Sequence, residues 1–456
     1  MKVAVIGAGP AGLAAAIELA KLPFVDYSVY EKADKVKEVG AGISIQRTTW
    51  RMLEVMGAAQ YLRDSDRYRP DDDHYVRHYN GRTGKLIATH FQTNIPENQL
   101  HVRCQRATLQ NALLRANDQS RIKTSKKLVG VSQLSSGRVR IDFVDGSADE
   151  VDLLVGADGV RSVVRAHLFP RHAISYTGRT VYRTLIPTDQ ARTIPGLPVG
   201  AVAFWHAPKG AWVYTCNLGG NVFELTVMTN EPLNEDEQQR VSWGEKAGVE
   251  QMQRHFKDFH KPLQDLFDLA PSVQRYAAFA GPRLPTVISG PGNIALVGDA
   301  SHPLSGAFGA GAGFALEDAY SLAQSLKWAH IQANPRPLAE ALRLFDKVRS
   351  PHYKRLYGVL DDFKAVGENL AAPDLDLTGD EEVAVLVAMN WSHRHNWIIE
   401  YDVTKEFLSF VDEADKASKD SDGSVSRKNA ACVNVLEAPL RASLWGRRIV
   451  SYASPE

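Results

Sequence analysis

Cysteine is scarce in this chain, and neither sign of charge is in excess. The three cysteines lie far apart, with no Cys-x-x-Cys pair and no spacing typical of metal ligands, so we expect reduced thiols, no disulfide-exchange centre and no metal site. Fifty-three basic residues balance fifty-three acidic ones, and no long basic run is present. This balance argues against nucleic acid as a partner and leaves open whether the protein is a monomer or a homodimer.

Long apolar runs are also absent. No stretch of 18 apolar residues occurs, so no membrane span is expected. The first strand starts within "MKVAVIGAG", so we expect no signal peptide and predict a cytoplasmic protein. The chain has 456 residues, 44% of them hydrophobic and 23% charged. That composition is typical of a globular protein with two or three domains, or of a large enzyme with an inserted domain.

The first informative pattern is the N-terminal segment "KVAVIGAGPAGLAAAIELAKLPFVDYSVYEK". Residues 3–6 predict a buried parallel strand, and an alanine- and leucine-rich helix follows. Between them, Gly7 permits a tight turn, Gly9 lets the backbone approach a pyrophosphate, and Gly12 lets the helix pack close to the sheet. Glu31 ends the next strand, where a carboxylate can accept hydrogen bonds from ribose hydroxyls. The segment predicts a dinucleotide-binding turn, for NAD or for FAD.

Two later strands each end in a glycine and an aspartate. "VDLLVGADGVRSVVRAHL" (151–168) places Asp158 after the first, and "NIALVGDASHPLSGAFGAGAGFALEDAYSLAQSL" (293–326) places Asp299 after the second. A glycine-rich turn then leads into a long helix, an arrangement that suits a loop lying against a phosphate or a flat ring. Both aspartates are therefore candidates for contacts with one extended ligand, although an aspartate at such a position also commonly caps a helix.

Three other segments have recognisable patterns. Residues 41–57 predict a strand followed by a helix, and residues 101–116 predict a helix with Arg103 or Arg106 at its start. Residues 173–230 alternate and turn repeatedly, which predicts an antiparallel meander. A sheet of this kind, inserted into a dinucleotide fold, usually builds a second domain that covers a substrate.

These motifs together resemble those of the single-component FAD-dependent aromatic hydroxylases, the group that includes para-hydroxybenzoate and salicylate hydroxylases. Three stretches carry the resemblance in the family's order: GAGPAG at 7–12 with Glu31, ADG at 157–159, and GDASHP at 298–303 with the glycine loop that follows. The resemblance covers roughly residues 1–400. "MNWSHRHNWIIEYDV" (389–403) also resembles a tryptophan-rich C-terminal segment of the salicylate hydroxylase-like branch.

The resemblance implies an α/β fold with a Rossmann-like FAD-binding domain, an inserted antiparallel β-sheet substrate domain and a helical C-terminal region. The predicted bounds are 1–172 and 281–350 for the two parts of the FAD-binding domain, 173–280 for the substrate domain, and 351–456 for the C-terminal region. The C-terminal region is expected to contain a polar linker near 412–429. A helix is predicted over 338–365, across the boundary between the last two regions.

The resemblance also implies FAD as cofactor and NAD(P)H as co-substrate. Asp299 is expected near the FAD ribityl and pyrophosphate, the loop 304–313 along the flavin ring, and Arg106 at the position of a FAD-contacting arginine. The ADG segment is expected to serve both FAD and the nicotinamide donor. The full set of implied cofactor-binding residues is Gly7, Gly9, Ala11, Gly12, Glu31, Lys32, Gly42, Arg106, Asp158, Gly159, Asp299, Gly309, Gly311, Ala312 and Gly313.

In the family's reaction NAD(P)H reduces FAD, the reduced flavin binds O2 as a C4a-hydroperoxide, and one oxygen atom is transferred to a phenolic or related aromatic ring. This chemistry requires a dry pocket and a cation or base that stabilises the phenolate. Tyr182 and Arg183 lie on opposite faces of one predicted strand, so we expect one of them to face the flavin. Tyr214 is a candidate hydrogen-bonding partner of substrate, and His302 is a candidate proton relay.

Each of these catalytic candidates has a structural alternative. Arg183 is also interpretable as a salt-bridged surface residue, Tyr214 as a packed core residue and His302 as a structural contact. His206 is expected at an exposed turn.

The reaction itself also stays open. The product is a hydroxylated ring, a decarboxylated catechol or a dearomatised dienone, and the alternatives to aromatic hydroxylation are an FAD-dependent alkene epoxidase or reductase and a non-catalytic flavin-binding module. The small residues of the flavin loop resemble those of relatives that act on bulkier metabolites of fungal secondary metabolism.

Overall fold

The structure is a computed structural model that describes residues 1–36, 41–332, 336–372, 375, 377–391 and 395–421. The chain forms two compact units, Met1–Thr404 and Lys405–Glu456. The described residues of the second unit, 405–421, continue a helix that begins at Val403. The candidate site lies entirely in the first unit.

The bounds of the regular elements are given in chain order. The strands are β1 Lys2–Ile6, β2 Asp26–Tyr30, β3 Gly42–Ile45, β4 Arg67–Tyr68, β5 His74–Asn80, β6 Leu86–Phe91, β7 Val102–Gln105, β8 Ile122–Lys123, β9 Leu128–Gln133, β10 Val139–Phe143, β11 Ala148–Val151, β12 Leu153–Gly156, β13 Ser175–Pro187, β14 Ala203–His206, β15 Trp212–Asn217, β16 Val222–Asn230, β17 Glu245–Ala247, β18 Val273–Ala280 and β19 Ile294–Leu296. The helices are α1 Pro10–Ala20, α2 Arg47–Val55, α3 Arg106–Arg115, α4 Val163–Leu168, α5 Thr188–Ala191, α6 Glu235–Val241, α7 Val249–Gln253, α8 Lys261–Asp268, α9 Gly311–Ile331, α10 Pro337–Leu370, α11 Gly379–Asn390, α12 Trp397–Glu400 and α13 Val403–Ser421.

A five-stranded parallel sheet in the order β19-β12-β1-β2-β8 forms the centre of the dinucleotide-binding part. Its middle strands are almost completely buried, as expected for a parallel sheet covered on both faces. The strands that precede Gly7, Asp158 and Asp299 are the neighbours β1, β12 and β19. Their carboxyl ends therefore meet at one edge of the sheet, where ligands bind in open α/β folds.

The predicted antiparallel sheet is present and is larger than the sequence indicated. Eight strands follow the order β17-β18-β13-β16-β15-β14-β5-β6. The last two come from residues 74–91, so the sheet extends beyond the predicted segment 173–280 into the predicted first part of the FAD-binding domain. They join it because β5 pairs in parallel with β14, and a pairing between strands so distant in sequence leaves no local signal.

The two faces of this large sheet have different partners. One face carries Tyr182, Trp205 and Phe223, which pack with α7 and α8 into a closed apolar core. The other face carries a smaller group that includes Phe204 and Tyr214. Because side chains alternate along a strand, this second face belongs to a different surface of the molecule from Tyr182.

The C-terminal helices brace both parts of the first unit. The helix predicted over 338–365 is confirmed as α10, which packs along α9. Helix α11 docks on the turn after β5, where Asp380 pairs with Arg82 at 2.8 Å and accepts a hydrogen bond from Asn80 at 2.9 Å. The backbone N–H of Lys209 donates to Glu382 at 2.7 Å. These contacts fix the start of α11 against the sheet edge.

Two sequence predictions are wrong in part. Residues 101–116 are not one helix, because Val102–Gln105 form a strand and the helix begins at Arg106. The polar stretch 412–429 is not a loop over 412–421, since α13 continues to Ser421; its alanines, lysines and single glutamate are helix-forming residues despite the low complexity of the stretch. The remainder, 422–429, lies outside the described residues. No helix in the described parts of the chain is long and apolar enough to cross a membrane.

Candidate functional site

The glycine turn after β1 has the shape that a phosphate requires. Gly7 has φ +103°, and a Cβ atom there would lie 2.5 Å from the carbonyl oxygen of Ala157. A Cβ atom on Gly12 would overlap the carbonyl oxygen of Gly7, so α1 starts this close to the turn only with glycine. Gly9 faces open space, and α1 has no side-chain cap. The helix N-terminus is therefore available to an anion.

The carboxylate of Glu31 is hydrogen-bonded to the backbone of this turn. Its Oε2 atom accepts the backbone N–H of Ala8 at 2.7 Å, and its Oε1 atom accepts the N–H of Ala33 at 2.9 Å. Both oxygens keep lone pairs for ribose hydroxyls. The next side chain, Lys32, lies over the ring of Trp243 at 4.8 Å. No pattern in the sequence predicted Trp243, which comes from the loop after α6.

Asp158 caps α4. It accepts hydrogen bonds from Ser162 Oγ at 2.5 Å and from the backbone N–H of Val163 at 2.7 Å. Burial raises the pKa of Asp158 from its ordinary value, and these hydrogen bonds oppose that shift. The capping alternative is thus observed, and a ligand contact stays a prediction. Gly159, with φ +79°, faces open space beside it.

Arg165 joins the ADG segment to the turn that carries Asp299. Its guanidinium donates to the backbone oxygens of Asp299 and Ala300, each at 3.0 Å, and to that of Val160. Arg165 was not predicted as a site residue, because nothing in the local sequence indicates that an arginine in this short helix is buried. On the other side of the turn, a Cβ atom on Gly298 would lie 2.8 Å from the Cβ atom of Ala11. The three turns at the sheet edge are therefore one packed unit.

The glycine-rich loop between the Asp299 turn and α9 carries unusual backbone conformations. Two residues other than glycine, Ser305 and Phe308, have positive φ values of 55° and 68°. Such conformations cost roughly 1–3 kcal/mol each and concentrate at ligand sites. Gln46 donates to the carbonyl oxygen of Phe308 at 3.4 Å, and a Cβ atom on Gly313 would lie 2.7 Å from Thr49 Oγ1. The loop thus lies against β3 and α2.

The other loop residues predicted to bind cofactor line the same strip. A Cβ atom added to Gly309 would lie 3.8 Å from Ser44 Oγ, and one added to Gly311 would lie 3.8 Å from Asp299 Oδ1. Both distances are ordinary van der Waals contacts. Ala312 is partly buried against the core.

His302 belongs to a buried ionic cluster behind this loop. Its Nε2 atom lies 3.1 Å from Asp318, which also accepts hydrogen bonds from Arg349 Nε at 2.8 Å and from the hydroxyl of Tyr353. Glu317 pairs with Arg349 at 3.0 Å. Burial raises the pKa of Glu317 to about 7, against the opposing effect of Arg349. These contacts agree with the structural alternative for His302. Its role as a proton relay stays a prediction.

The structure separates Tyr182 from Arg183. Tyr182 is fully buried in the closed core and donates to Glu231 at 2.8 Å, so Tyr182 is not on the flavin side. Arg183 faces the other side, opposite Thr226. Burial lowers the pKa of Arg183, Glu224 opposes that shift, and the charge of Arg106 adds to it. Of the two residues, Arg183 is therefore the one that lies near the charges of Glu224, Arg103 and Arg106.

A buried ion pair links the large sheet to a three-stranded sheet of order β3-β7-β4, which carries Gly42 and Arg103. Arg103 bonds Glu224 at 2.5 Å and Ser44 at 2.7 Å, and its guanidinium lies 5.1 Å from the ring centre of Tyr214. The N–H of Gly42 donates to Glu224 at 3.1 Å. Although burial opposes ionisation, Arg103 and Arg183 lower the pKa of Glu224. Gly42, predicted to bind cofactor, thus abuts this pair.

His206 is not at an exposed turn. It is buried on β14, and its Nε2 atom lies 2.9 Å from His78 Nδ1. Burial lowers the pKa of His206 to about 4. A turn follows at 208–210, but β14 continues to His206 and pairs with β5 there.

The structure therefore brings the glycine turns, Glu31, Asp158 and Asp299 to one edge of the parallel sheet, and it places Arg183 and Tyr214 on one face of the large sheet. Arg106 begins α3, and its backbone N–H donates to the carbonyl oxygen of Ala41 at 2.8 Å. The glycine turns, the helix N-terminus and the Glu31 carboxylate fit the pyrophosphate and ribose of FAD, and the glycine loop fits a flat ring. Tyr182 and His302 lie elsewhere. Within the described ranges, no group of three or more histidine, cysteine, aspartate or glutamate side chains is arranged to hold a metal ion.

Comparisons with known proteins agree with this geometry. A model of the family described as FAD binding domain matches residues 1–341. Salicylate hydroxylase of Pseudomonas putida is 26% identical over 419 residues, which cover 88% of this chain and 93% of that protein. 3-Hydroxybenzoate 6-hydroxylase of Klebsiella oxytoca is 29% identical over 366 residues, covering 78% of this chain and 86% of that protein. A solved salicylate hydroxylase substrate complex superposes with a TM-score of 0.73 at 23% identity, over 90% of this chain and 98% of that one.

Proposed function

The chain belongs to the FAD-binding-domain family, and from this premise we propose that it transfers one oxygen atom of O2 to a phenolic aromatic ring, with NAD(P)H as electron donor. Family membership and the named relatives confirm the resemblance to aromatic hydroxylases, the α/β fold, FAD as cofactor and a flavin-dependent monooxygenase as the class of enzyme. The aromatic substrate, its position and the donor are the proposed part.

One observation carries the proposal: Arg183 is a desolvated cation whose nearest counter-charge is already engaged. Burial and Arg106 lower the pKa of Arg183, while Glu224, which opposes them, is held by Arg103 at 2.5 Å. The Nε atom of Arg183 is buried without a hydrogen-bond partner. A partly buried, desolvated cation in this state favours an anionic ligand, and we propose that a phenolate beside the ring of Tyr214 satisfies it.

The chain's own residues supply the surroundings that the reaction needs. FAD, when bound, supplies hydride acceptance and oxygen activation. Tyr214, Phe204 and Val76 make an apolar surface that excludes water from the space between the sheet and the glycine loop. Gln46, bonded to Tyr75 at 2.7 Å and to Phe308, links the wall of that space to the loop.

A second group fits the nicotinamide donor. Arg161 lies two residues after the ADG segment, and its guanidinium lies 5.5 Å from the ring of Trp243 and 4.7 Å from that of Phe279. Lys32 covers the same tryptophan ring. Two cations and an exposed aromatic ring beside the segment expected to serve both nucleotides suit the phosphates and the adenine of NAD(P)H.

Arg183→Ala tests the proposal. FAD-loaded protein is incubated in air with NADPH or NADH and a panel of phenols, salicylates and larger aromatics, and donor oxidation and product mass are recorded. We expect stimulation by some phenols, a gain of one oxygen atom, and a loss of at least tenfold in stimulated turnover in Arg183→Ala, since a charge-assisted hydrogen bond contributes about 1.5–3 kcal/mol. Arg183→Lys should restore part of the loss.

The matched control is Arg179→Ala, an exposed arginine on the same strand. Unchanged turnover in Arg183→Ala removes this residue from the site. A product that gains hydrogen without oxygen favours the alkene reductase alternative, and bound FAD without stimulation by any ligand favours a non-catalytic module.

A further inference from the structure

The sheet surface that carries Arg183 continues as one row of side chains across the next four strands, as far as β5. Arg183 pairs across strands with Thr226, Thr226 with Tyr214, Tyr214 with Phe204, and Phe204 with His78. Residues directly opposite one another on adjacent strands stand on the same face. The row therefore runs without interruption from the proposed phenolate site to His78.

The length of this row exceeds one aromatic ring. Adjacent strands lie about 4.8 Å apart, so Tyr214 and His78, two strands apart, are separated by about 10 Å. The ring centres agree, with Phe204 at 4.7 Å from Tyr214 and 5.9 Å from His78. A ligand whose reacting ring lies beside Tyr214 reaches His78 only through a second ring or a rigid arm.

His78 is a buried polar group with an unused hydrogen-bonding atom. Its Nδ1 atom is engaged with His206 Nε2 at 2.9 Å, while its Nε2 atom is buried without a hydrogen-bond partner in the described structure. Burial lowers the pKa of both imidazoles, so both rings are neutral at pH 7. Leaving such an atom unsatisfied costs about 1–3 kcal/mol, and Nε2 is the ring nitrogen farther from the strand. A ligand hydroxyl satisfies it in either tautomer.

Trp391 closes this end of the row. Its ring lies 4.5 Å from His78 and 5.5 Å from Phe204. It follows α11 directly, and α11 is fixed to the sheet edge by the contacts of Asp380 and Glu382. The tryptophan is thus a positioned wall, and its face is a stacking surface for an aromatic ring.

We propose that His78 and Trp391 form a specificity-determining subsite for the distal hydroxyl and distal ring of a two-ring phenol, with the reacting ring beside Arg183 and Tyr214. This inference rests on the proposed function, because it assumes that the reacting ring lies at Arg183. Under this proposal the substrates are phenols larger than a single-ring salicylate.

Two biphenyls test the subsite. The ligands are para-phenylphenol and the analogue with a second para hydroxyl on the distal ring. Their dissociation constants are measured by the perturbation of flavin absorbance in FAD-loaded protein, without NAD(P)H. We expect the dihydroxy compound to bind at least about tenfold more tightly, the value of one hydrogen bond to an otherwise unsatisfied buried group. His78→Phe should abolish that preference and leave the affinity for para-phenylphenol within about twofold.

The matched control is His255→Phe, which removes a histidine from the opposite face, where it contacts Tyr182. It should keep the preference. His78→Gln retains a hydrogen-bonding group and should keep part of it, and Trp391→Ala should weaken both biphenyls relative to phenol. Equal affinities in the unaltered protein, or a preference that persists in His78→Phe, would overturn the subsite.

The binding readout keeps the two proposals separable. If His78→Phe does not fold, an unchanged ratio of biphenyl to phenol affinity in Trp391→Ala also overturns the subsite. Selective binding through His78 with no oxygenated product from any phenol supports the subsite and contradicts the proposed function.

Discussion

Asp318 accepts the backbone N–H of Gly298 at 2.8 Å, which ties the helix after the glycine loop to the residue immediately before Asp299. The carboxylate is completely buried and also bonds Arg349 and His302. Although burial opposes its ionisation, Arg349 and the hydrogen bond with His302 lower the pKa of Asp318. The turn that we assign to the cofactor is therefore held from behind by a buried ionic cluster.

Removing the charge of Asp318 should loosen that turn. Asp318→Asn leaves Arg349 partly uncompensated in a dry interior, and we expect a loss of about 3–5 kcal/mol in the free energy of unfolding. Weaker FAD retention should accompany it. Urea unfolding and FAD titration measure the two effects. Arg349→Lys should lose less than Arg349→Ala, and equal losses would contradict an ion-pair role.

Asp299→Ala should affect FAD more than stability. The side chain lies at the sheet edge beside Gly311 and, in our assignment, faces the cofactor. We expect at least a tenfold rise in the FAD dissociation constant, with the free energy of unfolding of the cofactor-free protein changed by less than about 1 kcal/mol. Asp299→Asn separates loss of charge from loss of shape. A purified Asp299→Ala protein that stays fully yellow would count against the assignment.

Gly42 has no room for a side chain. A Cβ atom there would overlap the carboxylate of Glu224 and lie 2.6 Å from Arg103 Nη2. Gly42→Ala should therefore destabilise the protein by about 1–3 kcal/mol and displace the ion pair. Gly358→Ala is the matched control: Gly358 lies in α10 with nothing near its Cβ position, so alanine should stabilise by about 0.5–1 kcal/mol. Thermal unfolding of both variants decides the sign.

Arg161→Ala should act on the electron donor alone. If the guanidinium binds a donor phosphate, the KM for NAD(P)H should rise at least tenfold with kcat and FAD affinity little changed. Arg171→Ala, an exposed arginine in the same segment, serves as control. Steady-state kinetics with NADPH and NADH test the assignment, and an unchanged KM in Arg161→Ala would refute it.

Acid should destabilise the protein through its buried neutral histidines. The pKa of His206 falls from 6.5 in the unfolded chain to about 4 in the fold because the ring is buried. A depressed folded pKa means that the stabilising contribution is complete above pH 6.5 and is lost as the pH falls toward 4, by about 3 kcal/mol at pH 4. His206→Gln should flatten this part of the stability profile, whereas the exposed His167→Gln should not. Urea unfolding between pH 4 and 7.5 tests it.

The sequence predicted those parts of the site that depend on local chain geometry. Gly7, Gly12 and Glu31 lie within one strand–turn–helix–strand unit, so spacing alone places them. Arg103 was assigned to a helix because its segment has a helical period, yet its partner Glu224 lies on a strand more than a hundred residues away. No local pattern reports a pairing of that kind.

The burial of His206 is a second feature that depends on distant segments and could not be predicted from the local sequence. This residue was expected at an exposed turn, but its ring is buried because β14 pairs with β5, where His206 meets His78. Tyr182 and Arg183 were correctly assigned to opposite faces by alternation, and only the packing of α7 and α8 on one face decides which of them is free to meet a ligand.

The most direct test of the proposed oxygen transfer is the mass of the product formed in isotopically labelled O2. FAD-loaded protein, NADPH or NADH, and each phenol of the panel are combined, and the organic product is analysed by mass spectrometry. We expect at least one phenol to stimulate donor oxidation and to gain one labelled oxygen atom, with both effects greatly reduced in Arg183→Ala. Stimulated oxidation that yields only peroxide, or a product without the label for every phenol, would contradict it.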